Sequence, residues 1–219
     1  RQMCIRDRSW RSPWLVEAAI EQVEDAAESE GIVAGQGWSI HTTVQPALQR
    51  IAEAAVTESA RRLDADYPEA AGAQIALVAV RASDGAVLAM VGGRDYIDSP
   101  FNRVTTAERQ IGSTVKPLTW LAAIHNNHDL TPGATIEDAP LERVSNGQVW
   151  APKNYDGRYK GDITLRSALA QSRNIPAILL AESVGMSRMS RWWQGLGLSG
   201  ATALPSAALG SFEATPVSY

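Results

Sequence analysis

Two short apolar runs joined by a tight polar turn restrict the fold of this chain more than any other feature. Residues 75–80 read Ile-Ala-Leu-Val-Ala-Val, residues 86–91 read Ala-Val-Leu-Ala-Met-Val, and Ser83-Asp84-Gly85 lies between them. Runs that are apolar on both faces and joined by Asp-Gly predict a buried antiparallel hairpin. Two strands alone are marginally stable in water, so we expect this sheet to need partners that the chain does not obviously contain.

Helical patterns surround the hairpin. Apolar residues recur at helical spacing after Ser12-Pro13 and after Pro46, and Pro is favoured in the first turn of a helix. The polar break at 64–72 predicts a domain boundary. The predicted elements are helices over 13–31 and 46–63, a strand over 38–42, helices over 114–124, 164–171, 176–185 and 189–194, and a small hairpin around 146–147.

Composition excludes several classes of protein. The 219 residues carry 20 Lys+Arg against 24 Asp+Glu, a net charge of -4, so a broad basic surface for nucleic acid is not expected. No run approaches the roughly 18 apolar residues of a membrane-spanning helix, and the N-terminus does not read as a signal peptide. The single cysteine, Cys4, cannot form an internal disulfide.

The segment Ser113-Thr114-Val115-Lys116 is the first candidate for chemistry. At a spacing of three residues on a helix, a hydroxyl and an amine share one face, and a helix N-terminus favours an oxyanion. Lys116 could act as a base near neutral pH only if burial and positive charge lower its pKa by about 3 units. The spacing alone is weak evidence, because a helix start with a solvated lysine explains it equally well.

A second candidate is Ser172-Arg173-Asn174, which follows a predicted helix. Its hydroxyl could relay a proton to a leaving amine, and its amide could orient a lysine and a substrate carbonyl. The alternative is an ordinary C-terminal turn before Pro176.

The two candidates occur in a wider context: 109–117 read Arg-Gln-Ile-Gly-Ser-Thr-Val-Lys-Pro, 146–155 read Asn-Gly-Gln-Val-Trp-Ala-Pro-Lys-Asn-Tyr, and 164–174 read Thr-Leu-Arg-Ser-Ala-Leu-Ala-Gln-Ser-Arg-Asn. With Ser-x-x-Lys and a Ser-x-Asn element, the chain resembles the class A, bifunctional penicillin-binding proteins, and among them the 1B type. The resemblance extends from about Trp38 to Tyr219. Segments 84–93 and 209–216 resemble the first hairpin and a late helix start of the transpeptidase domain.

This resemblance implies an α+β fold, in which an antiparallel sheet lies between two helical layers, as in the β-lactamases and transpeptidases. Residues 1–8 are expected to be an artefact or tag, 9–71 a linker domain, and 72–219 a transpeptidase domain without its C-terminal part. The chain would then be an internal fragment, with a glycosyltransferase domain and a membrane anchor upstream.

The resemblance also implies roles for individual residues. Ser113 would attack the D-Ala-D-Ala carbonyl of a peptidoglycan stem peptide, Lys116 would be its base, Ser172 a proton relay and Asn174 an orienting group. The Ser113 backbone N–H would form half of an oxyanion hole. Trp150 and Asn154 are expected to line the substrate cleft, although a core Trp and a turn Asn are alternatives.

One family element is absent from the sequence. The family's Lys-Thr-Gly supplies substrate contacts and the second oxyanion donor, but Lys116, Lys153 and Lys160 are followed by Pro, Asn and Gly. We therefore expect the gene to continue into a Lys-Thr-Gly strand, and this chain alone to be inactive. A stop codon without that strand would favour a non-catalytic cell-wall binding module of the same fold. A D,D-carboxypeptidase or β-lactamase relative is the third interpretation.

The partners that the resemblance implies are stem peptides, a lipid-linked precursor and inhibitory β-lactams, with regulators of cell-wall synthesis as further candidates. It implies no cofactor, and places the full-length protein at the periplasmic face of the bacterial inner membrane. His125 and His128 have a spacing that can bind a metal, but the sequence offers no further ligands, so we expect a solvated helix end.

Overall fold

The computed structural model describes residues 12–31, 39–145 and 148–218. The helices are α1 (Pro13–Ser29), α2 (Pro46–Asp66), α3 (Lys116–Asn126), α4 (Leu165–Ala170), α5 (Asn174–Val184) and α6 (Met186–Gly195). The strands are β1 (Leu77–Val80), β2 (Val87–Val91), β3 (Arg109–Gln110), β4 (Thr135–Asp138), β5 (Arg143–Ser145), β6 (Gln148–Trp150), β7 (Gly161–Thr164) and β8 (Glu213–Ala214). They form the antiparallel pairs β1–β2, β3–β8, β4–β7 and β5–β6, so the predicted α+β class is confirmed.

The described chain divides into two compact units. One contains the residues up to Ala107 together with Thr215–Val217, and the other contains Glu108–Ala214 together with Ser218. Helices α1 and α2 precede the polar break at 64–72 and the β1–β2 hairpin follows it, yet all of them belong to the first unit, where both helices contact β2. The assignment of 9–71 to a linker domain and of 72–219 to a transpeptidase domain stays a prediction.

In the first unit, the hairpin finds its partners within the chain. Ala89 and Val91 of β2 pack with Trp14 of α1 and Val56 of α2 in one apolar cluster. The Gln49 side chain also covers the backbone of β2 at Met90, because it accepts from Met90 N and donates to Met90 O, both at 2.8 Å. At this residue the strand edge presents no free hydrogen-bonding group. Helices α1 and α2 thus cover the hairpin, while among the described residues no further strand joins β1 and β2.

Two predictions for the first unit need correction, while the predicted helix after Ser12 is present as α1, with Trp14, Ala18 and Ala27 buried. The β1 strand is half-buried or exposed, so only β2 is largely buried. Residues 39–45 form no strand; Thr43 and Gln45 instead hydrogen-bond to single carbonyls of β2. Trp38 lies outside the described residues.

The second unit has its own helical core. Helix α5 is apolar around most of its circumference and packs against α3 and α6. The fully buried Trp193 of α6 lies with its ring centroid 5.8 Å from that of Phe212. The residues of α5 that are buried are Ile175, Pro176, Ala177, Ile178, Leu180, Ala181 and Val184.

Several predicted boundaries in this unit are confirmed and others shift. Helix α4 begins after Thr164, whose hydroxyl accepts from Ser167 N at 3.2 Å, and β5 and β6 flank Asn146-Gly147, which lie outside the described residues. The predicted helix over 114–124 is a 3-10 turn (Gly112–Val115) that continues into α3. Segment 209–216 contains the end of a 3-10 turn (Pro205–Leu209) and β8, and residues 216–218 form a turn. The late helix start expected there stays a prediction.

Candidate active site

The turn that carries Ser113 is held at its start by backbone hydrogen bonds to residues 210–212. Just before it, Ile111 N donates to Phe212 O at 3.2 Å and Gly112 N donates to Gly210 O at 3.1 Å. Gly112 and Gly210 have positive φ values of 56° and 70°, a region that favours glycine. A Cβ atom at Gly210 would overlap the backbone of Gly112. The chain can approach this closely because position 210 has no side chain.

Ser113 and Lys116 face different environments although only two residues separate them. Ser113 is exposed, and its hydroxyl forms no hydrogen bond within the described ranges. Val115 and Lys116 are buried, and the Lys116 side chain extends into the protein from the first position of α3. The turn therefore presents a hydroxyl to solvent and places an amine beneath the surface.

The Lys116 amine is surrounded by three acceptors from one short segment. Its Nζ donates to Ser172 O at 2.6 Å, to Ser172 Oγ at 3.1 Å and to Asn174 Oδ1 at 2.7 Å. These contacts use the three donors of an ammonium group. The structure thus brings together Lys116, Ser172 and Asn174, three of the residues predicted from the sequence.

Burial changes the acidity of this amine. Lys116 is 1 % exposed. Desolvation, and after it the positive charge of Arg173, lowers the pKa of Lys116 from 10.5 to about 8. Removing an ammonium from water and placing a like charge near it both favour the neutral amine. A fraction of Lys116 is therefore available as a base at neutral pH.

Ser172 occupies a position where helices usually end with glycine. After α4, Ser172 N donates to Leu169 O and Arg173 N donates to Ala168 O, both at 2.9 Å, which is the hydrogen-bond pattern of a Schellman motif. The residue in the left-handed position of that motif is Ser172, with φ 50°. A non-glycine residue costs about 1 kcal/mol there, and such strain is typical of functional sites. Asn174 is the first residue of α5, so of the predicted Ser172-Arg173-Asn174 turn only the first two residues precede the helix.

Trp150 and Asn154, the two predicted cleft residues, lie in different surroundings. Trp150 ends β6 and is half-buried against the core of the second unit. Asn154 is buried, and both ends of its amide are already hydrogen-bonded within the protein. That geometry favours an internal role for Asn154, and contact of either residue with substrate stays a prediction.

Sequence inspection missed a buried ion pair beside this site. The guanidinium of Arg173 bonds to Asp138, which is 0 % exposed, at 2.8 Å, and to both carboxylate oxygens of Asp156 at 3.0 and 3.1 Å. It also donates to Arg158 O. Asp138, Asp156 and Arg173 share no motif spacing. The one signal in the sequence is that a charged residue, Arg173, lies between Ser172 and Asn174.

The two histidines of the predicted metal-binding spacing lie next to each other and next to a tryptophan ring. The His125 ring lies 5.1 Å from that of Trp192 and 6.4 Å from that of His128. Across residues 12–31, 39–145 and 148–218, no group of three His, Cys, Asp or Glu side chains is arranged to hold a metal ion. In the same ranges, every helix is too short or too polar to cross a lipid bilayer.

Comparison with known proteins places this geometry in a family. The chain is 37 % identical over 188 residues to penicillin-binding protein 1B of Vibrio cholerae, covering 84 % of this chain and 24 % of that protein. It is 44 % identical over 149 residues to penicillin-binding protein 1A of Neisseria flavescens, covering 66 % of this chain and 18 % of that protein. The chain thus spans about a quarter or less of the length of these relatives.

Solved structures give the same result at the level of the fold. Penicillin-binding protein 1A from Haemophilus influenzae matches with a TM-score of 0.63 and 36 % identity, over 66 % of this chain and 22 % of that one. PonA1 from Mycobacterium tuberculosis matches with a TM-score of 0.72 and 22 % identity, over 95 % of this chain and 55 % of that one. The predicted transpeptidase-like fold is confirmed.

The family model described as penicillin binding protein transpeptidase domain matches residues 75–211, a range that contains Ser113, Lys116, Ser172 and Asn174. The chain therefore belongs to the penicillin-binding protein transpeptidase domain family.

Proposed function

We propose that this chain is the acylating part of a D,D-transpeptidase that cross-links peptidoglycan stem peptides, with Ser113 as its nucleophile. The observation that carries the proposal is the Lys116 amine, which is buried three positions after an exposed serine and bonded to Ser172 and Asn174. A hydroxyl, a base of lowered pKa and a second hydroxyl near that base are the groups that acyl transfer requires.

In the acylation step, Ser113 Oγ bonds to the carbonyl carbon of the penultimate D-alanine while its proton passes to neutral Lys116 Nζ. The negative charge on the carbonyl oxygen is stabilised by the Ser113 backbone N–H and by the N-terminus of α3. The C–N bond then breaks, and the nitrogen of the leaving D-alanine takes a proton from the Lys116 ammonium through the Ser172 hydroxyl. The products are free D-alanine and an ester on Ser113.

In the second step, an amine of a neighbouring stem peptide attacks the ester carbonyl. The amine loses a proton by the same route, a new amide bond forms, and Ser113 recovers its hydroxyl hydrogen. A β-lactam would acylate Ser113 by opening its ring, and the nitrogen released from the carbonyl would remain attached to the adduct. Such an amine cannot diffuse away, so it blocks access to the ester.

The remaining family functions belong to the full-length protein and are part of this proposal. They include a peptidoglycan glycosyltransferase activity, a membrane anchor, a location at the periplasmic face of the inner membrane, and lipid-linked precursor as substrate. Because none of the three lysines precedes Thr-Gly, we propose that the 219-residue chain alone is not acylated. The experiments below therefore use the protein at the length that its gene encodes.

The decisive experiment locates the acyl adduct. The protein is incubated with a fluorescent penicillin, digested with trypsin and examined by mass spectrometry. Trypsin cleaves after Arg109 but not at Lys116-Pro117, so Ser113 lies in the peptide 110–143. The proposal expects the adduct in that peptide, with fragmentation assigning it to Ser113. An adduct in peptide 167–173, which carries Ser172, would contradict it.

The pKa of Lys116 predicts the pH dependence of acylation. Only the neutral amine accepts the Ser113 proton, so the rate constant should rise with pH through a midpoint of about 8 and then level off. At pH 6 the rate constant should be about one-hundredth of the plateau value. Stopped-flow measurement of penicillin acylation between pH 5.5 and 9.5 checks this. A profile that is flat over this range, or that falls as pH rises through 8, would exclude Lys116 as the base.

Substituting Gly210 should disturb the nucleophile from a distance. In a Gly210→Ala variant, the new methyl group would overlap the Gly112 backbone and shift the turn that carries Ser113. We expect acylation to slow by about 100-fold, because a displacement of about 1 Å at a reacting group has effects of that size. The measurement is the acylation rate of the folded fraction.

The matched control is Gly85→Ala. Gly85 has a similar φ of 73° but no atom within 4 Å of an added Cβ, so this variant carries the backbone strain without the overlap. Equal acylation rates in the two variants would show that the approach of Gly210 to Gly112 does not position Ser113.

A further inference from the structure

A cluster of polar side chains lies behind the segment that contacts Lys116. The cluster consists of the buried residues Asp138, Asn154 and Arg173 and the exposed Asp156. Asp138 is its centre: one carboxylate oxygen accepts from Arg173 Nε at 2.8 Å and from Lys160 N at 3.2 Å, and the other accepts from Asn154 Nδ2 at 2.7 Å. A buried carboxylate with three donors is satisfied, so the cluster can be rigid.

Asn154 connects this cluster to Asn174. Its Oδ1 accepts from Asn174 N at 2.8 Å and from Ile175 N at 3.4 Å, the first two N–H groups of α5. The first N–H groups of a helix have no partner within it, so Asn154, which lies 20 residues before α5, acts as a cap for that helix. The start of α5 is thereby fixed to Asp138.

The orientation of the Asn174 amide follows from its other neighbour. Asn174 Nδ2 donates to Lys153 O at 2.7 Å, and a carbonyl oxygen can only accept. The remaining atom, Oδ1, must then point away from that carbonyl, and it accepts from Lys116 Nζ at 2.7 Å. Residues 153 and 154 thus determine both the place and the direction of the amide that contacts Lys116.

Arg173 fixes the same segment from its middle. Its side chain bonds to Asp138 and Asp156, and its backbone N–H completes the turn that holds Ser172 at positive φ. Arg173 is the one residue between Ser172 and Asn174, so anchoring its guanidinium restrains the backbone of both neighbours.

We propose that Arg173, anchored by Asp138 and Asp156, is a positioning residue for acylation that holds Ser172 and Asn174 against the Lys116 amine. This inference rests on the proposed function of Ser113 and Lys116. Arg173 touches neither the nucleophile nor Lys116 through a hydrogen bond, so it acts through its neighbours and through its charge.

The charge of Arg173 supplies a readout that a purely structural role would not move. Its positive charge helps to lower the pKa of Lys116, after burial, and Asp138 and Asp156 are the acidic groups bonded to its guanidinium. Throughout the described residues, no carboxylate forms an ion pair with Lys116. Removing the Arg173 charge should therefore raise the pH at which Lys116 becomes neutral.

The test compares Arg173→Gln and Arg173→Lys in the full-length protein. Acylation by fluorescent penicillin is measured as a function of pH, and each rate is divided by the folded fraction from thermal unfolding. For Arg173→Gln we expect acylation at pH 7 to fall by about 100-fold, and the midpoint of the pH profile to rise by about one pH unit. Arg173→Lys keeps the positive charge but loses the planar guanidinium that bonds to both Asp138 and Asp156. Its midpoint should therefore remain close to that of the wild type while its rate falls.

Two further variants keep the test decisive. Asp138→Asn combined with Arg173→Gln removes both charges, so the fold is not burdened with an unpaired buried carboxylate. We expect the midpoint to rise, but by less than in Arg173→Gln, because the negative charge of Asp138 is removed as well. Arg143→Gln is the control, because it breaks the half-exposed Arg143–Glu182 pair, which lies 2.6 Å apart, and should leave rate and midpoint unchanged.

Each outcome decides the inference separately from the proposed function. A wild-type rate and midpoint in both variants that contain Arg173→Gln would overturn it, as would a lower folded fraction with no change in the profile. If every cluster variant fails to fold while Arg143→Gln folds, the cluster is structural and the inference is also wrong. Failure of the wild-type protein to form any penicillin adduct would instead overturn the proposed function.

Discussion

A Ser113→Ala variant of the full-length protein should lose covalent labelling by fluorescent penicillin completely within the range of the assay. Removing the nucleophile leaves no atom to form the ester, and we expect the acylation rate to fall by about 1,000-fold or more. Since Ser113 is exposed and its hydroxyl has no hydrogen bond among the described residues, the thermal unfolding temperature should hardly change. Gel fluorescence, together with a thermal unfolding curve, measures both effects.

The control for this variant is Ser199→Ala. Ser199 is also an exposed serine of the second unit, and it lies outside the proposed machinery. Its substitution should leave labelling at the wild-type level. If Ser113→Ala still forms an adduct at the wild-type rate, another residue is the nucleophile and the proposed mechanism is wrong.

Replacing Lys116 by arginine should be nearly as damaging as removing its amine altogether. Arginine retains the positive charge but does not lose a proton in proteins, so it cannot accept the proton of Ser113. For both Lys116→Arg and Lys116→Met we expect acylation to slow by about 100-fold to 10,000-fold, the contribution of a positioned base. The loss in Lys116→Arg should not be recovered at pH 9.5, unlike the pH-dependent loss expected for Arg173→Gln.

Lys160→Arg is the matched control, because the Lys160 side chain is exposed and only its backbone takes part in the Asp138 contacts. Circular dichroism of each Lys116 variant separates loss of the base from loss of the fold, since a larger side chain at a site 1 % exposed can overpack it. A folded Lys116→Arg protein with normal acylation would show that the charge, and not proton transfer, is what this lysine contributes.

Local patterns predicted most elements because they reflect local physical causes. Thr164 marks the start of α4 through its own hydroxyl, and Gly185, with φ 92°, marks the end of α5. The hairpin over 77–91 follows from its apolar runs and the Asp84-Gly85 turn. The chemical motifs were equally visible, because residues 113–116 and 172–174 are contiguous and match a known signature.

The errors arose where distant segments compete for the same backbone groups. The alternation of Ile40 and Thr42 is compatible with a strand, but the backbone of β2 at Met90 is bonded to the Gln49 side chain instead. The surroundings of Asn154, which the family resemblance places in the substrate cleft, are likewise set by distant segments: its amide bonds to Asp138 and to the start of α5. Its contact with substrate stays a prediction.

The sequence by itself determined the α+β class, the family, and the identity of the hydroxyl and the amine proposed for acyl transfer. Only the tertiary structure decided that Lys116 is buried, which lowers its pKa, and that Ser172 and Asn174 lie on it, 56 and 58 residues further along the chain. Only the structure joined Asp138 to Arg173, 35 residues apart. Desolvation and the pairing of buried charges depend on every segment that surrounds a group, so no local pattern contains them.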